Sequence, residues 1–125
     1  MIVGFHHAQI TIPKNQELAA RRFYCELLQL NEIPKPASLE GRGGFWVQIG
    51  AQALHIGTED GVDRSKTKAH LAYEVRDLDK IRSLLDQHAV EILESVPITG
   101  YVRFECRDPF GNRVEFIQRL FNEDV

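Results

Sequence analysis

Four side chains able to bind a divalent metal stand at matching places in the two halves of this sequence: His7 and His55, then His70 and Glu115. Imidazole nitrogen and carboxylate oxygen are ligands for first-row ions such as Zn, Fe, Mn and Ni. Two His and one carboxylate, with coordination positions left open, is the ligand set of non-haem Fe(II) oxygenases. A fourth ligand still leaves room on an octahedral ion for substrate or water. The spacing is long, 48 residues from His7 to His55 and 45 from His70 to Glu115, so it is no local metal motif. Each residue also has a plainer reading. His7 and His70 alone are hydrogen-bonded strand residues, Glu115 beside Arg113 is a salt-bridged carboxylate, and His55 is a half-buried hairpin side chain. Their recurrence in register is what favours the metal.

That register comes from the elements that must position them. GFHHAQITIP, residues 4–13, reads as a strand, so the adjacent His6 and His7 point to opposite faces. Ala20, Phe23, Tyr24 and Leu27 then follow helical spacing and predict a helix over 16–28, with Asn15 as its N-cap. Residues 33–36, IPKP, suit an edge strand at most, and 38–44 read as a loop with three glycines. Strands are expected at 45–49 and 52–57 around a tight turn at Gly50 and Ala51. Residues 58–68 are polar and form the candidate linker.

The second half repeats the first. Strand 68–75 leads to an Asp77 N-cap and a helix marked by Leu78, Ile81 and Leu85 and running to about residue 87. Strands follow at 91–94, 100–107 and 113–118, the last two joined by the turn Asp108-Pro109-Phe110-Gly111-Asn112. The order is βαβββ twice, an α+β chain of one domain over 1–125 with modules at about 1–60 and 68–120. His7 and His70 are 63 residues apart, and at that offset Ala8, Ile10 and Ile12 fall on Leu71, Tyr73 and Val75, the apolar faces each helix should cover. Leu54-His55-Ile56 likewise matches Val114-Glu115-Phe116. Each half thus offers one ligand-type residue on its first strand and one on its last, with apolar neighbours turned the other way.

Bulk properties bound the function. The chain has 125 residues, 43% hydrophobic and 26% charged, and a net charge of −3, which argues against nucleic acid as a partner. No apolar run approaches the ~20 residues of a membrane span, and no leader is apparent, so a cytoplasmic protein is expected. Cys25 and Cys106 are isolated and read as reduced apolar fillers.

The stretches FHHAQITIP, ARRFYCELLQL, KAHLAYEVRDLD and DPFGNRVEFIQ occur in an order that resembles the vicinal oxygen chelate superfamily. That group includes glyoxalase I, extradiol dioxygenases, fosfomycin-resistance enzymes and bleomycin-binding proteins. The resemblance implies paired βαβββ modules forming an incomplete barrel around a cavity that holds a divalent metal. It implies His7, His70 and Glu115 as ligands, and puts His55 where glyoxalase I carries a glutamate. His55 is then a fourth ligand, a donor that steadies another ligand, or a general base. It also implies a small-molecule substrate and a homodimer, with cavities built within a chain or across chains.

Around this set, Glu74 is the candidate proton acceptor on the His70 face, or else an exposed strand-end carboxylate. Arg103 either meets an anionic substrate group or balances Glu115 or Glu105. Tyr101, Phe45 and Trp46 are candidate lining residues, with hairpin phase deciding between Phe45 and Trp46, or else core. Three functions fit: a metal-dependent lyase, isomerase, dioxygenase or thiol transferase; a metal-free protein that sequesters a drug or metabolite; and a structural or regulatory domain.

Overall fold

The computed structural model describes residues 1–120. It divides into two compact units that meet in sequence between Val62 and Asp63. In the first, β1 (His7–Ile12) leads to α1 (Glu17–Arg21), then β2 (Asn31–Ile33), β3 (Phe45–Ile49) and β4 (Gln52–Thr58). In the second, β5 (His70–Glu74) leads to α2 (Leu78–Gln87), then β6 (Leu93–Glu94), β7 (Tyr101–Arg107) and β8 (Arg113–Arg119). The sheet orders are β1-β4-β3-β2 and β5-β8-β7-β6, both open and both mixed. Each is a βαβββ module, so the fold is α+β.

The first and last strand of each unit lie side by side and run parallel, which only a crossover connection permits. The registers are the same in both: His7 pairs with Ala53, two before His55, and His70 pairs with Arg113, two before Glu115. Period-2 alternation sorts the faces. In the first unit Ile12, Phe45, Val47, Leu54 and Ile56 are buried with Ala20, Phe23, Tyr24 and Leu27 of the helix. Arg21 lies 4.6 Å above the Phe45 ring, which marks this as the helix side. In the second, Arg82 of α2 lies 4.7 Å above Phe104, and the Leu78 N–H donates to Gln118 at 2.7 Å.

Local departures from the expected elements have local causes. The helix predicted over 16–28 is α-helical only to Arg21 and continues as a π-turn, Arg22–Leu27, with Leu28 N–H bonding Phe23 O at 3.0 Å. Its four apolar positions are buried as expected. Asn15 is not the N-cap: it sits at φ 67°, a left-handed turn that Asn tolerates, and Gln16 caps without a side-chain bond. The loop expected at 38–44 is largely a 3-10 helix, Ala37–Arg42, begun by Pro36. The expected linker carries another, Arg64–Lys66, whose start is fixed by the Asp63 carboxylate accepting from Ser65 N. Asp77 does cap α2, accepting from Lys80 N at 3.1 Å. The edge strands are shorter than predicted, three residues in β2 and two in β6. No helix among the described residues is long and apolar enough to cross a membrane.

Candidate functional site

Each unit builds its polar cluster on the sheet face opposite its helix. In the first, β3 and β4 turn at Gly50–Ala51, pairing Ile49 with Gln52 and so setting Trp46 directly opposite His55. Gln9 of β1 is the partner of His55 on its other side. The three rings of this face form one stack. His55 lies 4.0 Å from His7 at 15° and 3.7 Å from Trp46 at 2°, so it is sandwiched. Burial, and then the neighbouring His7 and His6, push the His55 pKa below its ordinary value. No hydrogen bond among the described residues reaches the His55 ring, leaving both nitrogens at the ring edge available. The hairpin phase therefore selects Trp46 for this face. Phe45 is 2% exposed on the helix side, and as a lining residue of the histidine face it is corrected. His6 precedes β1, is exposed, and places its Nδ1 3.0 Å from His7 Nδ1.

A pocket of about 320 Å³ opens on this same face, lined by residues that include Gln9, Lys35, Arg42, Trp46, His55 and Thr58. Alternation from His7 puts Gln9 on the histidine face, and Arg42 falls in the loop expected at 38–44, but the sequence singles out neither Lys35 nor Arg42 as a site residue. Their signal was only a basic residue at each end of KPASLEGR, a segment whose conformation no pattern announced.

In the second unit β8 lies between β5 and β7, so His70, Glu115, Arg103, Glu105 and Arg113 share one face. Glu105 and Glu115 are direct cross-strand partners, an arrangement that repels unless each carboxylate is neutralised. Diagonal arginines do this. Arg113 forks onto both oxygens of Glu105, one bond being Nη2 to Oε1 at 2.6 Å, and holds that carboxyl below its ordinary value. Arg103 Nη1 donates to Glu115 Oε1 at 3.2 Å while its Nε and Nη2 hold the Val96 carbonyl at 3.1 and 2.7 Å. Arg103 thus balances Glu115 rather than standing free for a substrate anion, and Arg113 serves Glu105, not Glu115.

His70 sits between two acceptors. Its Nδ1 is 2.8 Å from the Lys68 carbonyl and its Nε2 is 3.1 Å from Glu115 Oε1. A carbonyl cannot donate, so Nδ1 carries a hydrogen. Nε2 then faces the Glu115 carboxylate at hydrogen-bond distance. This is the arrangement in which a metal-binding histidine is fixed by a backbone carbonyl on its far nitrogen. Glu115 is only 5% exposed. The donor chemistry of this pair suits a divalent ion. Each unit supplies two donors, and among the described residues no three His, Cys, Asp or Glu side chains gather as a metal-holding group.

The remaining candidates lie at the strand ends. Glu74 is exposed and accepts from Arg119 Nε at 2.9 Å. Tyr101 is half-buried with Arg119 5.9 Å above its ring. The turn after β7 is built as predicted: Asp108 accepts from Phe110 N and Asn112 N, both at 2.9 Å, and Gly111 takes φ 97°. Cys106 is fully buried and Cys25 half-buried; both are free thiols.

A family model described as Glyoxalase/Bleomycin resistance protein/Dioxygenase superfamily matches residues 4–116. Among solved structures, a glyoxalase family protein from Bacillus anthracis is similar at 38% identity and TM-score 0.88, over 95% of this chain and 97% of that one. A glyoxalase/dioxygenase from Nostoc punctiforme is 18% identical with TM-score 0.75, over 93% and 90%. A variant of the fosfomycin resistance protein FosX from Listeria monocytogenes, complexed with Mn(II) and 1S,2S-dihydroxypropylphosphonic acid, is also 18% identical, with TM-score 0.72 over 93% and 90%. These last two share the fold. No curated protein matches the chain.

Proposed function

Because this chain belongs to the Glyoxalase/Bleomycin resistance protein/Dioxygenase superfamily, we propose that it is a metal-dependent enzyme acting on a small oxygen-rich substrate held through its oxygens. One observation carries the proposal: His70, fixed by the Lys68 carbonyl, turns its other nitrogen onto the buried Glu115 carboxylate. The proposed ligands are His7, His70 and Glu115, the set that the family resemblance implies. Fe, Mn, Ni and Zn are the candidate ions, and the FosX complex with Mn(II) makes that ion the first to offer.

A divalent ion bound there would act as a Lewis acid toward a substrate oxygen. The chain's own residues do the rest. The Lys68 carbonyl fixes the His70 ring, and Arg103 donates to Glu115 Oε1 and so holds that carboxylate in position. Of the two proposed proton acceptors, His55 is the better suited. Its lowered pKa keeps it neutral near pH 7, whereas the Glu74 carboxylate is engaged by Arg119. His55 also stays open as a fourth ligand. As the family resemblance implies, the proposal includes a homodimer, checked by sedimentation equilibrium.

A second reading, a metal-free binding protein, draws on Arg103, whose charge already balances Glu115. Metal content separates the two. Wild type, His70→Ala and Glu115→Gln, purified without chelator, are offered Mn(II), Fe(II), Ni(II) and Zn(II) and analysed for bound ion per chain. Near-stoichiometric uptake in wild type, cut tenfold or more in both variants, is expected. Absence of uptake by wild type overturns the metalloenzyme and leaves the binding protein. Undiminished uptake by the variants overturns the ligand assignment.

A further inference from the structure

We propose that the substrate of this site carries an anionic group, and that Lys35 and Arg42 bind it in the pocket beside His55. The inference rests on the metalloenzyme reading for the chemistry and on separate residues for the binding. The pocket is lined by two cations and no carboxylate, in a protein whose net charge is −3. Arg21, Arg82, Arg103, Arg113 and Arg119 are each paired with a glutamate. Among the described residues Lys35 and Arg42 have no such partner. Two like charges facing one pocket without a counter-ion repel each other, and an anion between them removes that cost.

Lys35 is also held by its side chain, and the backbone that follows Arg42 is fixed. The Lys35 ammonium donates to the Gly43 carbonyl at 2.8 Å, which uses one of its three hydrogens and ties the two ends of the 3-10 segment together. Directly after Arg42 the chain turns through Gly43 at φ 74° and Gly44 at φ 77°. A Cβ on Gly44 would lie 2.1 Å from the Ile56 carbonyl oxygen, so only glycine lets the segment close this tightly onto β4. A planar guanidinium fork and a point ammonium together suit a carboxylate, phosphate or phosphonate. The Gln9 amide adds an uncharged donor to the lining. At about 320 Å³ the pocket takes a small ligand, at the lower end of ordinary binding cavities. Arg103, the anion partner offered by the sequence, is already committed to Val96 and Glu115.

The test is a titration of the metal-free, ¹⁵N-labelled full chain with inorganic phosphate, methylphosphonate and acetate, against sodium chloride at matched ionic strength. Saturable shifts are expected at the Gly43 and Gly57 amides, the Arg42 Nε–H and the Trp46 indole. In Lys35→Met/Arg42→Met the midpoint should rise about tenfold or more. The probe with the lowest midpoint distinguishes a tetrahedral anion from a carboxylate. No saturable shift with any probe, shifts confined to other residues, or an unchanged midpoint in a folded double variant overturns the proposal. Should the double variant not fold, the location of the wild-type shifts decides. Phosphate binding without metal uptake keeps this site and removes the metalloenzyme; metal uptake without anion binding does the reverse.

Discussion

Gly44 offers a graded test of how the pocket wall is built. Its φ of 77° costs a side-chain-bearing residue about 1–2 kcal/mol. An added Cβ would sit 2.1 Å from Ile56 O and 3.2 Å from Gly57 Cα, both backbone atoms of β4. Neither can rotate away, so β3 and β4 must separate, an overpacking cost of about 1–3 kcal/mol. Gly44→Ala should therefore lose roughly 2–5 kcal/mol, a large share of the 5–15 kcal/mol typical of a folded domain. Gly50 has φ 55° but open space around it, so Gly50→Ala should lose only about 1 kcal/mol. Gly41 has neither feature and should change by less than about 0.5 kcal/mol. Trp46, the single tryptophan, lies on β3 two residues from Gly44, so its fluorescence in urea reports on this unit. A Gly44→Ala midpoint indistinguishable from that of Gly50→Ala would refute the tight approach and, with it, the fixed placement of Arg42.

Three further outcomes are expected. Arg103→Met should lose about 2 kcal/mol in urea unfolding because the buried Glu115 loses a charged donor, while Lys66→Met, removing an exposed pair at 3.8 Å, should lose under about 0.5; equal losses would refute the distinction. Glu105, held below its ordinary 4.5 by Arg113, contributes stability fully present above pH 4.5 and lost as the pH falls through its folded value. The stability gap between wild type and Glu105→Gln should therefore shrink only below about pH 4.5, and a gap independent of pH between 6 and 3 would sink this assignment. Burial pushes the Cys106 thiol up to about 12 and leaves it with no exposed surface, so a thiol reagent at pH 8 should label Cys25 slowly in the native chain and Cys106 only on unfolding.

What the sequence determined follows from period and repetition. Strand alternation is local, so Leu54 and Ile56 could be separated from His55 before any contact was known, whereas His6, expected on the face opposite His7, precedes β1 and turns its ring onto the His7 ring. The 63-residue repeat then predicted the two βαβββ units, whose parallel first and last strands set both donor pairs in one register. Asp77 was legible because a short acidic side chain bonds neighbouring amides, and the 108–112 turn because Pro fixes φ and Gly takes φ > 0. What the tertiary structure decided was partner choice. Arg113 adjoins Glu115 in sequence yet pairs with Glu105, because a diagonal cross-strand position is within reach of its long side chain. Arg103 takes Glu115 for the same reason. The His7–His55–Trp46 stack depends on one turn length that fixes hairpin phase, and the Lys35–Arg42 pocket on a 3-10 segment closed by two left-handed glycines. Such features depend on register and chain return, which arise only when distant segments meet; alternation of residue types carries no record of them.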